Sequence, residues 1–218
     1  MSSLLTATYT KPLEREFEAW IIDGIERYGR DVDLAPQVWA VSPNFEVVWP
    51  ADEVLVISGK VLGLQFKQAK MASGAVDLSR LKWSLAAPPQ QYAKVQNSPE
   101  VYYCLPTFIN RNFKREALQH CIFWRPPAGV ADTQAWYDNP NAQTAHNSLA
   151  NDPSAMRWGR LIEQVQSCVV GRRVNSREEV DAYLAEVAES MGRSESIEDS
   201  DEIETDFSPV MYVLYTPL

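Results

Sequence analysis

Two apolar runs, Val54-Leu55-Val56-Ile57 and Val61-Leu62-Gly63-Leu64, flank Ser58-Gly59 and give the clearest hydrophobic pattern in the chain. Gly at the second central position suits a two-residue hairpin turn. Pairing Ile57 with Lys60 sets the register: Val56 faces Val61, Val54 faces Gly63, and Asp52 faces Gln65. Directly opposite residues have Cβ atoms about 4.5–5.5 Å apart. Side chains alternate, so Gln65 and Lys67 share a face with Asp52, while Leu62, Leu64 and Phe66 point to the other. Both faces are apolar along the middle of the hairpin, which predicts a central strand pair covered on both sides.

Helical spacing appears upstream. Leu13, Phe17, Trp20, Ile21, Gly24, Ile25 and Tyr28 form one stripe, predicting a helix from Lys11 and Pro12 to Gly29 with Thr10 in its cap region. On the helical wheel Glu14 projects near the edge of that stripe, Glu16 and Asp23 lie on the opposite border, and Glu18 is further round towards solvent. Acids in a first turn also simply favour the helix dipole. Val38-Trp39-Ala40-Val41 predicts a first strand, Ala69 to Gly74 a short basic loop, and Pro88 to Val95 a second helix entered through prolines. Val101 to Phe108 predicts a buried strand and Cys121 to Trp124 a further short one. Asp132 to Asp152 reads as a loop with a helical turn at Trp136-Tyr137, and Met156 to Val169 as a helix. Ser176-Arg177-Glu178-Glu179 has the form of a capping box opening a helix to about Met191. Val210 to Tyr215 reads as a final strand. The expected organisation is a domain over residues 1–193, an acidic segment over 194–208 and a strand over 209–218 packing back.

Composition narrows the class. A chain of 218 residues that is 45% hydrophobic has material for one substantial core. No apolar run is long enough to span a bilayer, and the first residues do not read as a signal peptide. Cys104, Cys121 and Cys168 lack zinc-ligand spacing and read as free thiols in a reducing, cytoplasmic setting. His146-Asn147 suggests an HNH-type motif, but no partner motif accompanies it. Seven Trp and nine Tyr point to a packed interior, or to stacking on bases.

The formal charge of −9 argues against a generic nucleic-acid binder, yet it is unevenly spread. Glu195, Glu198, Asp199, Asp201, Glu202, Glu204 and Asp206 form an acidic run, without which the charge is −2. The run reads as a solvated linker, or as a segment competing with DNA for a basic face. Residues 60–96 hold Lys60, Lys67, Lys70, Arg80, Lys82 and Lys94 against Asp77 alone. Lys114, Arg115 and Arg125 follow.

Asp52, Gln65 and Lys67 are the candidate chemistry, with Glu14 as the helical acid nearest the sheet. Three polar groups at the end of a buried hairpin need partners, and a metal or a phosphate is suitable. The same three residues also read as an ordinary exposed rim. Glu14-Arg15-Glu16-Phe17 on a first helix, then an acid after Pro50-Ala51, then a hairpin ending in Gln65-Phe66-Lys67, resembles the PD-(D/E)xK nuclease superfamily. It is closest in pattern to archaeal Holliday-junction resolvases and to restriction enzymes that cut modified DNA. The resemblance covers roughly residues 11–108.

The resemblance implies an α/β fold with a restriction-endonuclease-like αβββαβ core, a central mixed sheet flanked by helices, and C-terminal helices added. It implies Glu14, Asp52, Gln65 and Lys67 as the catalytic set. Mg²⁺ or Mn²⁺ would be held by Asp52, by Gln65 or the Phe66 carbonyl, and by Glu14 through water. Lys67 would orient the attacking water or stabilise charge at the phosphate. Gln65 stands where Glu is commoner, leaving two carboxylates rather than three. Lys70, Arg80, Lys82 and Lys94 are the expected nucleic-acid contacts, and Gln91 and Lys94 resemble polar residues that related nucleases place near the site. The implied activity is metal-dependent hydrolysis of phosphodiester bonds, in DNA, in a defence or restriction setting. A protein partner or a second copy of the chain is a further expectation. The alternative is a non-catalytic, nuclease-fold binding subunit of a larger assembly, which Gln65 and the acidic balance favour.

Overall fold

The structure, a computed structural model, describes residues 12–41, 49–71, 81–85, 90–132, 136–137, 148–149 and 152–192. Thr10, Arg80, Pro88, Pro89, His146, the acidic segment and the expected last strand lie outside the described residues. In chain order the elements are α1 (Glu14–Asp31), β1 (Gln37–Ala40), β2 (Glu53–Ile57), β3 (Lys60–Phe66), β4 (Lys70–Met71), β5 (Leu81–Trp83), α2 (Gln91–Asn97), β6 (Val101–Pro106), a 3₁₀ segment (Arg111–Glu116), β7 (Cys121–Trp124), β8 (Trp136–Tyr137), α3 (Trp158–Gln166), β9 (Arg172–Arg173) and α4 (Arg177–Gly192).

The central sheet has the order β1-β2-β3-β6-β7, with β9 added against the start of β3. β1, β2 and β3 form an antiparallel meander, β6 lies parallel to β3, and β7 closes antiparallel to β6. A parallel neighbour needs a crossover, and the chain between β3 and β6 supplies one that includes α2. The sheet is therefore mixed. α1 and α3 cover one face through Phe17, Ile21, Ile25, Trp158, Leu161 and Val165, packed on Leu55, Leu62, Leu64 and Phe66. The other face carries α2, α4 and a small sheet of order β4-β5-β8 over Val54, Val61, Val101 and Tyr103. Every residue of β3 is buried, as expected of a strand at the centre of a covered sheet.

The hairpin register is the one the sequence predicts: Ile57 pairs with Lys60, Val56 with Val61, and Val54 with Gly63. Ser58 and Gly59 both have positive φ, 52° and 65°, the conformation of a two-residue turn whose twist matches its strands. Ser is tolerated there beside the Gly.

Several boundaries differ from the sequence reading. α1 starts at Glu14, with Leu13 as an extended N-cap residue that has no capping side chain. The Glu16 carboxylate instead reaches back and accepts from the Leu13 N–H at 2.9 Å. The helix also runs past Gly29. A Cβ at that position would lie 2.2 Å from Cδ of Pro36, so this glycine admits a close packing contact and is not a terminator. Trp136-Tyr137 is a strand rather than a helical turn, pairing Trp136 with Trp83 and Tyr137 with Lys82. Lys70-Met71, expected in a loop, is likewise a strand, with Lys70 opposite Lys82. Tryptophan serves the interior: Trp49, Trp83, Trp124 and Trp136 are fully buried, and the Trp136 ring lies against those of Tyr92 and Trp124. Cys104 and Cys121 are buried free thiols, while Cys168 is exposed.

Candidate active site

The site forms where β3 runs out beside β6. Upstream of β2 the chain makes a tight turn in which the Ala51 N–H donates to the Trp49 carbonyl at 2.8 Å. The Trp49 ring then lies over Gly63, where a Cβ would stand 2.8 Å from Trp49 Cζ2 and 2.9 Å from Ala51 Cβ. A side chain at position 63 would lift this segment away, so Gly63 is a close-approach glycine. Asp52 follows directly and is fixed on both sides. Its N–H donates to the Leu64 carbonyl at 2.9 Å, and its carbonyl accepts from the Val41 N–H at 2.8 Å.

This seating carries the Asp52 carboxylate onto β3. Oδ2 accepts from the backbone N–H of Phe66 at 2.5 Å and from Nε2 of Gln65 at 2.6 Å. The opposition of residues 52 and 65 read from the sequence thus becomes a direct side-chain contact. Lys67 continues the parallel ladder, its N–H donating to the Cys104 carbonyl at 3.2 Å. Strand alternation puts Lys67 on the Gln65 side. Gln65 and Lys67 are 3% and 7% exposed, so the rim reading does not hold for them.

Glu14 arrives from the other face of the sheet. In the first turn of α1, its Oε2 accepts from the Gln68 N–H at 2.9 Å, and the Gln68 side-chain amide donates to the Pro12 carbonyl at 2.7 Å. Gln68 therefore fastens the helix start to the residue after Lys67. Sequence reasoning passed over it, although its position one residue beyond the Gln-x-Lys was the available signal. It also passed over Glu53, a carboxylate only 3% exposed on the α1 side of β2. Glu16, two residues from Glu14, has a separate role. Its carboxyl is held below the usual range by the Leu13 N–H and then by Arg111, which it meets at 2.6 Å.

The expected basic residues divide. Lys70 and Lys82 stand directly opposite one another across β4 and β5, with Lys70 shortly after the end of β3. Trp83 ties β5 to that same end by donating its indole N–H to the Pro106 carbonyl at 3.0 Å. Lys94 lies half-buried in the last turn of α2, at the i+3 position from Gln91 and so beside it on the helix surface. Gln91 is buried, and its Oε1 has no hydrogen-bond partner among the described residues. The solvated-face reading of this helix therefore fails for Gln91.

Asp52 also acts electrostatically on β6. Burial pushes the Tyr103 hydroxyl and the Cys104 thiol up; Asp132 and Tyr92 push the first further and Cys121 the second, with Asp52 adding the least to each. These groups stay protonated at neutral pH.

Among the described residues no three His, Cys, Asp or Glu side chains cluster as a metal centre. The candidate set is two carboxylates, an amide and a peptide carbonyl. All supply hard oxygen, with no thiolate or imidazole. That chemistry fits Mg²⁺ or Mn²⁺, ions held by one or two carboxylates with substrate phosphate completing the shell. No protein-family model, curated protein or solved structure matches this chain.

Proposed function

We propose that this protein is a metal-dependent nuclease of restriction-endonuclease-like architecture that hydrolyses phosphodiester bonds in DNA. One observation carries the reading: the Asp52 carboxylate is bound to Gln65 and to the Phe66 N–H, beside Lys67, at a strand end to which Glu14 is also fastened. An antiparallel meander followed, after the small strands β4 and β5, by α2 and a strand parallel to β3 supports this reading.

Asp52, with Gln65 or the Phe66 carbonyl, would hold Mg²⁺ or Mn²⁺, and Glu14 would act from the helix side through water. The bound ion supplies Lewis-acid polarisation of a phosphate and acidification of water. Asp52 contributes a negative charge whose orientation is fixed by two N–H donors. Lys67 presents a cation on the same side, suited to orienting a nucleophile or to balancing negative charge as it builds on phosphate. Its low exposure strengthens that interaction by keeping water out. Lys70 and Lys82 provide positive charge for a neighbouring phosphate of the strand. Their like charges face each other across a ladder, an arrangement that costs stability without an anion between them.

The test uses labelled DNA duplex with the full chain in Mg²⁺, Mn²⁺ or EDTA, and the Lys67→Met variant beside it. Metal-dependent products from the wild type, reduced at least about 100-fold in the variant, support the reading. Equal cutting by both rejects it.

A non-catalytic binding subunit is the second reading, favoured by the Gln65–Asp52 contact. The amide already satisfies the acid without any ion. Tight, salt-sensitive DNA binding with no cleavage in any divalent ion would select it.

A further inference from the structure

The Gln65 amide is surrounded by acceptors. Its nitrogen lies 2.6 Å from Asp52 Oδ2 and 3.4 Å from the Phe66 carbonyl oxygen. The Phe66 N–H approaches the same Oδ2 at 2.5 Å. A carboxylate oxygen and a peptide oxygen can only accept, so the amide must turn its NH₂ end towards them. Turned over, it would bring a third oxygen against the other two. Gln65 itself is 3% exposed, while the Asp52 carboxylate is half-buried.

The two oxygens that meet at this NH₂ group are also the hard donors that the proposed ion would use. We propose that the Gln65 amide is an internal plug: its NH₂ group occupies the point between Asp52 and Phe66 where a divalent cation binds, and loading requires the amide to turn over so that its oxygen faces the ion. This rests on the metal-dependent reading above. The partial positive charge of the NH₂ group stands in for the cation. It donates to the half-buried Asp52 oxygen and to the Phe66 carbonyl while no ion is bound, which a Glu at position 65 could not do. The exchange is local. The last side-chain torsion of Gln is broad and roughly two-fold, so a half-turn leaves the backbone and the Phe66 N–H contact in place.

The plug has a cost and a benefit. Loading must break a hydrogen bond to a charged acceptor, which weakens cation affinity by about tenfold to a hundredfold relative to an unplugged site. In return, the empty protein avoids the repulsion of converging carboxylates. Gln65→Glu reverses both effects. It should bind Mn²⁺ at least about tenfold more tightly than wild type and melt at lower temperature in EDTA, with the difference erased by Mn²⁺.

The experiment is Mn²⁺ titration calorimetry and thermal melting of the full chain as wild type, Gln65→Glu and Asp52→Asn. The ¹⁵N and ¹H signals of the Gln65 side-chain amide are followed in wild type as diamagnetic Mg²⁺ is added. The plug predicts amide signals that shift on loading, tighter binding and a metal-rescued melting temperature in Gln65→Glu, and loss of binding in Asp52→Asn. Wild-type binding that depends on Asp52 but leaves the amide signals unmoved overturns the plug and spares the nuclease reading. So does Gln65→Glu binding no more tightly. Absence of binding to wild type and Gln65→Glu alike overturns both.

Discussion

Oε2 of Glu14 accepts a hydrogen bond from the backbone N–H of Gln68 at 2.9 Å, joining the first turn of α1 to the residue that follows Lys67. Helix and strand come from opposite ends of the motif and from different layers of the fold, so this contact determines where the helix acid stands. Glu14→Gln keeps an acceptor for Gln68 but loses the charge. Its melting temperature should stay within about 2 °C of wild type while cleavage falls at least about tenfold. Differential scanning calorimetry beside a cleavage assay separates the two. A matched fall in both would mean that Glu14 is only a fastening.

Gly63 holds the Asp52 segment close to β3 because it has no side chain. A methyl group there would meet Trp49 and Ala51 at under 3 Å. Gly63→Ala should cost about 1–3 kcal/mol in urea unfolding, the usual range for overpacking, and should weaken cation binding because Asp52 is carried outward.

Acid should unfold the protein partly through Glu16. Its folded-state pKa lies below the ordinary value of 4.5, through the Leu13 N–H first and Arg111 second. The stabilisation is therefore complete above the unfolded value and is lost as pH falls through the lowered folded one. Urea midpoints measured from pH 6 down to pH 2 should fall less steeply below about pH 4.5 in Glu16→Gln than in wild type.

Lys70 and Lys82 should act in opposite directions on binding and folding. Replacing either with Gln should reduce the salt dependence of DNA binding by about one counterion, measured by anisotropy against salt concentration. The same change removes a like-charge pair facing across the ladder, so free-state stability should stay level or rise by a few tenths of a kcal/mol. A fall in stability with an unchanged salt slope would place these lysines in the scaffold instead.

The sequence showed the hairpin residue by residue because two signals agreed there: Gly59 limits the turn, and a one-residue slip would reverse every apolar side chain. From that register, Asp52 opposite Gln65 followed directly. The small sheet was hidden because β4 and β8 have two residues each, too few for alternation to show, and are held by tertiary pairing to β5. The start of α1 was misplaced because its cap comes from Glu16 reaching back, which a search for Ser, Thr, Asp or Asn cannot see. Gln68 escaped notice for a related reason. Its role lies in a backbone N–H contact to a helix more than fifty residues upstream, and no local pattern encodes that distance.

The most direct measurement of the central claim is nicking of supercoiled plasmid DNA by the purified chain in Mg²⁺ or Mn²⁺, with Asp52→Asn in parallel. Asn keeps an acceptor for the Phe66 N–H and Gln65, so the variant should fold while losing the charge that would hold the ion. The account predicts relaxed and linear products from wild type only, abolished by EDTA and absent with Asp52→Asn. Plasmid that stays supercoiled with wild type in both ions, or that is cut equally by Asp52→Asn, would contradict it.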